Sequence, residues 1–153
     1  MGKSEWYQGK EGKAQHLVYL NHQAKELQKL LSQEKTMIIR GAAGKKSPLG
    51  GRAKRNDDVF FVETGGDLIV THKGIIKEVI ESEKMTTDES IAFIQKYEKK
   101  LNLSKDQFAR WAGKKYLAVY EISNIESIEP FQYQRENNMD DWIITDDINK
   151  IKR

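Results

Sequence analysis

Three runs of strong β-formers follow one another closely in the middle of the chain: residues 58–63 (Asp-Val-Phe-Phe-Val-Glu), 68–72 (Leu-Ile-Val-Thr-His) and 75–80 (Ile-Ile-Lys-Glu-Val-Ile). Only Thr64-Gly65-Gly66-Asp67 and Lys73-Gly74 separate them. Connections this short allow hairpin turns and nothing else, so the stretch predicts an antiparallel meander. A meander presents an apolar face that other elements must cover.

The flanking sequence supplies that cover. Residues 16–20 read as a short strand. Residues 22–32 read as a helix with Ala24, Leu27, Leu30 and Leu31 at helical spacing. Lys35 to Arg40 reads as the next strand. Thr86-Thr87-Asp88-Glu89 and Ser104-Lys105-Asp106-Gln107 each fit a capping box, in which the first side chain accepts from an early N–H and the last reaches back. Behind them Ile91, Ile94, Tyr97 and Leu101, then Phe108 and Trp111, form inward stripes, and Gly113 ends the second helix. Residues 116–122 predict a long strand. Ile125, Ile128 and Pro130-Phe131 continue the sheet, and Trp142-Ile143-Ile144 closes it. The expectation is an α+β fold: a small mixed or antiparallel β-barrel of seven or eight short strands, with helical insertions at 22–32 and 86–112 packed on it.

At 153 residues, with 38% hydrophobic and 32% charged side chains, the chain fits one domain with a sizeable, compact core and a highly solvated surface. Residues 1–14 are polar and Gly-rich and read as an N-terminal arm carrying Trp6 and Tyr7; residues 15–153 read as the single domain. No apolar run is long enough to span a bilayer, and the first residues lack the apolar core of a signal peptide. Gly2 does not make a myristoylation site, because position 6 is Trp6 and not Ser or Thr. Without cysteine there is no disulfide, thiolate metal site or Cys nucleophile. A monomer in the cytoplasm is the expectation.

Charge is uneven. The net charge is only +3, yet residues 40–55 carry Arg40, Lys45, Lys46, Arg52, Lys54 and Arg55 and no acid. A surface loop ordinarily mixes signs, so this one suits a polyanion, with Lys45, Lys46, Arg52, Lys54 and Arg55 on backbone phosphates. Gly41 to Ser47 imitates a phosphate-binding P-loop, but Lys46 separates Gly44-Lys45 from Ser47, and Pro48 blocks the helix such a loop needs. The same missing helix argues against a KH-type clamp. His16, His22 and His72 have no partner at metal-ligand spacing and read as surface or strand-edge residues; the Asp140-Asp141 and Asp146-Asp147 doublets read as solvated. No metal or other cofactor is expected. Phe60, Phe61, Phe108, Trp111, Tyr116 and Phe131 read as core, whereas Tyr133 and Trp142 lie in polar surroundings and are candidates for stacking on a base.

The segment Gln33-Glu34-Lys35-Thr36-Met37-Ile38-Ile39-Arg40, followed by Asn56-Asp57 before a strand, resembles the ASCH domain of the PUA-like superfamily. That family's pattern is Gly-x-Lys-x-x-Glu-x-Arg with a later Gly-Asp. Lys35 and Arg40 keep the Lys and Arg; Gln33 replaces the Gly, Ile38 the Glu, and Asn56 the second Gly, where Asn best tolerates a positive φ. The resemblance spans residues 15–130 and implies a PUA-like barrel with Lys35 and Arg40 lining a cleft that binds RNA or another nucleic acid. Some members are small amidohydrolases that deacetylate a modified cytidine with a Lys, a Thr and a Glu. Only Lys35 matches that trio: Ile38 stands at the Thr, and the Glu falls near Leu101. The expectation is therefore binding without chemistry and no catalytic residue. The alternatives are a hydrolase of a modified nucleoside centred on Lys35, or a protein-interaction module using the acidic 136–147 segment.

Overall fold

The computed structural model describes residues 14–42, 53–64, 68–133 and 142–145. Six strands and four helices follow in the order β1 (Gln15–Leu20), α1 (Glu26–Leu31), β2 (Met37–Ala42), β3 (Asp58–Glu63), β4 (Ile69–Glu81), α2 (Thr87–Lys96), α3 (Glu98–Leu101), α4 (Lys105–Trp111), β5 (Tyr116–Gln132) and β6 (Trp142–Thr145). All six strands form one sheet in the order β2-β5-β4-β3-β1-β6. β1 and β3 run parallel and every other pair is antiparallel. The sheet curls into a half-barrel, with β2 and β6 at its two edges.

Strand alternation sorts the side chains. Val18 and Leu20 of β1, Ile38 of β2, Val59 and Phe61 of β3, Ile76 of β4, Tyr120 and Ile122 of β5, and Trp142 of β6 share the inner cluster with Leu27 and Leu30 of α1. The intervening residues face outward and are also buried. Leu17, Tyr19, Phe60, Val62 and Val70 join Phe131 and Tyr133 over one end of the sheet. Met37, Ile39, Leu117 and Val119 are covered at the other end by Ile94, Leu101 and Trp111 from the helices. A strand covered on both faces loses the polar half of its alternation, which is why β1 and β3 read as continuous apolar runs.

Both capping boxes form as expected, at Thr86 with Glu89 and at Ser104 with Gln107. Gly113 takes a φ of 93° beyond α4. The first helix is shorter than its spacing predicts. Lys25 adopts a left-handed φ of 56°, Asn21 Oδ1 accepts from the Ala24 N–H at 2.9 Å, and Glu26 Oε1 accepts from the Asn21 N–H at 2.7 Å. Residues 21–25 are thus held in turns, and α1 starts at Glu26. β2 likewise begins two residues later than expected, at Met37.

The larger departure is at Lys73-Gly74, which is no turn. β4 runs through it and pairs with β3 on one side and β5 on the other. Two neighbours held in register outweigh a local turn preference, and the Gly is used for a close crossing instead. A Cβ on Gly74 would lie 2.9 Å from Ile122 Cγ2 and 3.2 Å from the Ser123 carbonyl, beside a register shift between Lys73 and Ile75. β5 is similarly one long strand where several short ones were expected. The described strands therefore number six and not seven or eight.

Among the described residues no helix is long and apolar enough to cross a membrane.

The Gly74 crossing is testable. Gly74→Ala pushes a methyl into a β-branched neighbour that cannot swing away, and should cost about 1–3 kcal/mol. In urea denaturation this would appear as a lower midpoint at unchanged m-value.

Candidate functional site

The inner face of the half-barrel is apolar except at one corner, where Arg40, His16, Asp57, Tyr120 and Trp142 meet. Arg40 lies two residues after Ile38 on β2 and so faces inward with it. Its side chain is only 7% exposed. Nη1 donates to the Ile39 carbonyl at 2.7 Å, and Nη2 donates to the Tyr19 carbonyl of β1 at 3.3 Å. The guanidinium carbon stands 5.3 Å from the Trp142 ring centroid and 6.0 Å from that of Trp111. Backbone carbonyls and indole faces together offset the loss of water around a buried cation.

Trp142 fixes the neighbouring imidazole. Its indole N–H donates to His16 Nδ1 at 2.9 Å, and the rings meet edge-on at 5.8 Å. Indole nitrogen can only donate, so Nδ1 must be the acceptor and the proton sits on Nε2. That N–H donates to Asp57 Oδ2 at 2.9 Å. The same oxygen accepts the Lys54 backbone N–H at 3.0 Å. Both nitrogens of His16 are thereby engaged, and neither is poised as a base.

The turn preceding β3 is locked in turn onto β4. Asn56 has a φ of 74°, its N–H donates to the Ile76 carbonyl at 2.7 Å, and the Ile76 N–H donates to the Asp57 carbonyl at 3.0 Å. The conformational reason for accepting Asn at this position holds. Gln33, where the family pattern has its first Gly, also takes a positive φ of 66°.

Tyr120 completes the corner, tilted against Trp142 at 4.8 Å between centroids. Burial, then the Glu81 carboxylate, push its phenol well above the usual range, with Arg40 opposing. The corner thus holds one permanent charge against indole faces, with the named donors of Arg40, Trp142 and His16 bonded within the fold.

Lys35 is placed elsewhere. It is 1% exposed, with Nζ donating to the Leu101 carbonyl and lying 3.4 Å from Glu26 Oε2. Burial lowers its pKa below the ordinary 10.5, against the opposing pull of Glu26, while Lys29 and Arg40 add to the lowering. Its ammonium thus bonds into the fold, within electrostatic reach of Arg40. Leu101, near which the family's Glu was expected, meets Lys35 through its peptide carbonyl. Ile38 is in the core. Thr36 Oγ1 donates instead to Glu121 Oε2 at 3.5 Å, and that carboxylate is paired with Lys100 at 3.2 Å.

Of the remaining expected residues, Lys54 and Arg55 are exposed on the turn that Asp57 anchors. Arg55 donates from Nε to the Lys77 carbonyl at 3.3 Å and approaches Glu78 at 4.0 Å. Lys45, Lys46 and Arg52 lie outside the described residues, as do most of the acidic 136–147 segment and both Asp doublets.

The two stacking candidates are both interior. Tyr133 is 1% exposed and packs edge-on against Tyr19, so it is a core residue and not a surface platform. Trp142 is 5% exposed and is held by His16, Tyr120 and Arg40. His16, expected at the surface, is fully buried. A polar histidine inside an apolar run, with a late Trp and an Asp ahead of a strand, was the available signal; nothing local says that the three meet. Among the described residues no group of three or more His, Cys, Asp or Glu could hold a metal ion.

Comparison with known proteins gives the fold a precedent. No protein-family model matches the chain, and no curated protein matches it in sequence. Among solved structures, the ASCH protein from Zymomonas mobilis aligns at 13% identity and a TM-score of 0.55, covering 77% of this chain and 73% of that one. A Ser-to-Ala mutant of it gives 13% and 0.56 over the same shares. A Tyr-to-Phe mutant gives 12% and 0.55, covering 77% and 75%. The chain has an ASCH-like fold.

Two outcomes test this geometry. Trp142→Phe keeps the packing but leaves His16 Nδ1 buried without its donor; it should cost about 1–3 kcal/mol in chemical denaturation. Asp57→Asn removes a charge-assisted bond and should cost a similar amount, and the two effects should be less than additive because they share His16.

The pH dependence of Lys35 has a definite sign. Its pKa is lower folded than unfolded, so between the folded value and 10.5 the unfolded chain holds the proton that the folded chain has released. Stability then rises with pH through that window. Lys35→Met should remove this rise, read as a flatter difference in unfolding free energy across alkaline pH.

Proposed function

We propose that the chain is a nucleic-acid-binding domain, with RNA the favoured ligand. The basic segment would grip phosphates beside the corner that Arg40 anchors. The observation that carries this reading is the placement of Arg40. A permanent cation backed by two indoles stands at the end of β2, where the acid-free basic segment begins its run to Arg55. The Asp57 anchor fixes the far end of that segment to the same corner. Lys45, Lys46, Arg52, Lys54 and Arg55 are assigned to the phosphate backbone, which positions a strand without reading its sequence. The ASCH-like fold is compatible with this reading and does not by itself supply it.

Binding of single-stranded RNA, duplex RNA and single-stranded DNA across a salt series tests the proposal. In wild type the affinity should fall linearly with salt on logarithmic axes. Changing Lys45, Lys46, Arg52, Lys54 and Arg55 together to Gln should make the slope shallower by about 0.7 for each phosphate that is no longer neutralised on a single strand. No binding to any nucleic acid at low salt would overturn the proposal.

A further inference from the structure

A second set of cations stands beside the same corner and is not part of the basic segment. α4 ends at Trp111, and the residues from Arg110 to Lys115 include Arg110, Lys114 and Lys115 with no acid. This turn is laid directly on the end of β2. A Cβ on Gly41 would come within 2.9 Å of Leu117 Cδ2, 3.0 Å of Trp111 Cε3 and 3.2 Å of Lys114 Cγ. Glycine is therefore what lets the α4–β5 connection sit against the last residues of β2, where the basic segment starts.

The Trp111 indole is shared by two guanidiniums. Arg110 lies 4.4 Å from its centroid and Arg40 6.0 Å. A guanidinium stacked on an indole face keeps its permanent charge. Lys114 packs its methylenes at Gly41, which lowers the entropy cost when its ammonium engages an anion. No carboxylate of the described residues is paired with Lys114 or Lys115. The C-terminal dipole of α4 accounts for a cation at Arg110. It does not account for Lys114 and Lys115, which follow the left-handed Gly113 outside the helix.

We infer that Arg110, Lys114 and Lys115 form a second phosphate-contacting limb. A strand held by the basic segment would continue over Gly41 and Ala42 onto the α4–β5 connection. This rests on the nucleic-acid-binding reading above and extends its footprint to residues that the family pattern does not include. The limb touches only the backbone of the strand, so its removal weakens binding equally for all sequences.

The test compares wild type, the basic-segment variant and an Arg110→Gln, Lys114→Gln, Lys115→Gln variant on a fluorescein-labelled oligouridine RNA across a salt series. Removing three phosphate-neutralising cations should reduce the salt slope by about 2, and the low-salt affinity should fall along with it. An Arg110→Lys, Lys114→Arg, Lys115→Arg variant keeps the charges and should keep the wild-type slope; a reduced slope here too would assign the effect to altered folding and overturn the inference. If the Gln variant binds as wild type while the basic-segment variant weakens, the second limb is wrong and the binding reading stands. If wild type binds no RNA at low salt, both fall.

Discussion

Arg40 bridges the open side of the half-barrel, beside the ring contact of Tyr120 with Trp142. β2 and β6 are the two edges of the sheet, and no ladder of hydrogen bonds joins them among the described residues. Arg40 reaches from β2 to the Tyr19 carbonyl on β1 and to the Trp142 ring on β6. A sheet of this size left open would expose the inner apolar face along the gap. A guanidinium spans that distance while presenting donors to carbonyls and a flat surface to indoles, which no aliphatic residue does. The interior charge this requires gives the corner its chemistry.

Everything next to Arg40 follows from keeping Trp142 in place. The indole N–H needs an acceptor, His16 supplies it, and the imidazole then needs an acceptor of its own at Asp57. Asp57 uses the same oxygen for the Lys54 backbone. This relay ties β6, β1 and the turn before β3 together through polar groups that are costly to leave unpaired. It also sets where the basic segment ends, since Lys54 and Arg55 extend from the anchored turn. The residues that secure the edge strand also fix the positions of the exposed cations.

Lys35 matches a sequence pattern while its charged group is used inside the fold. The side chain has the spacing to Arg40 that the ASCH pattern requires, and it lies in an ASCH-like fold. Its ammonium nevertheless bonds inward, to a carbonyl at the end of α3 and to Glu26 on α1. In this role it joins two helices across the start of β2. Ile38 is one of the fully buried residues of the core.

Features whose cause lies within a few residues were legible in the sequence. Thr86 with Glu89 and Ser104 with Gln107 form their boxes because every partner is three positions away. Asn56 adopts its positive φ because its own side chain tolerates it. Strands β1, β3 and β6 fall where runs of β-formers place them, and the acid-free basic segment is a property of composition alone. Features whose cause is a distant neighbour were not legible. Lys73-Gly74 looks like a turn until β3 and β5 hold it on both sides. Tyr133 looks like a surface aromatic until Tyr19 packs on it, and His16 a surface histidine until Asp57 and Trp142 take both its nitrogens. Local backbone preferences and charge density are additive along the chain, so the sequence alone determines them. Burial and hydrogen-bond pairing depend on which strands the curl of the sheet brings together, and only the tertiary structure decides that.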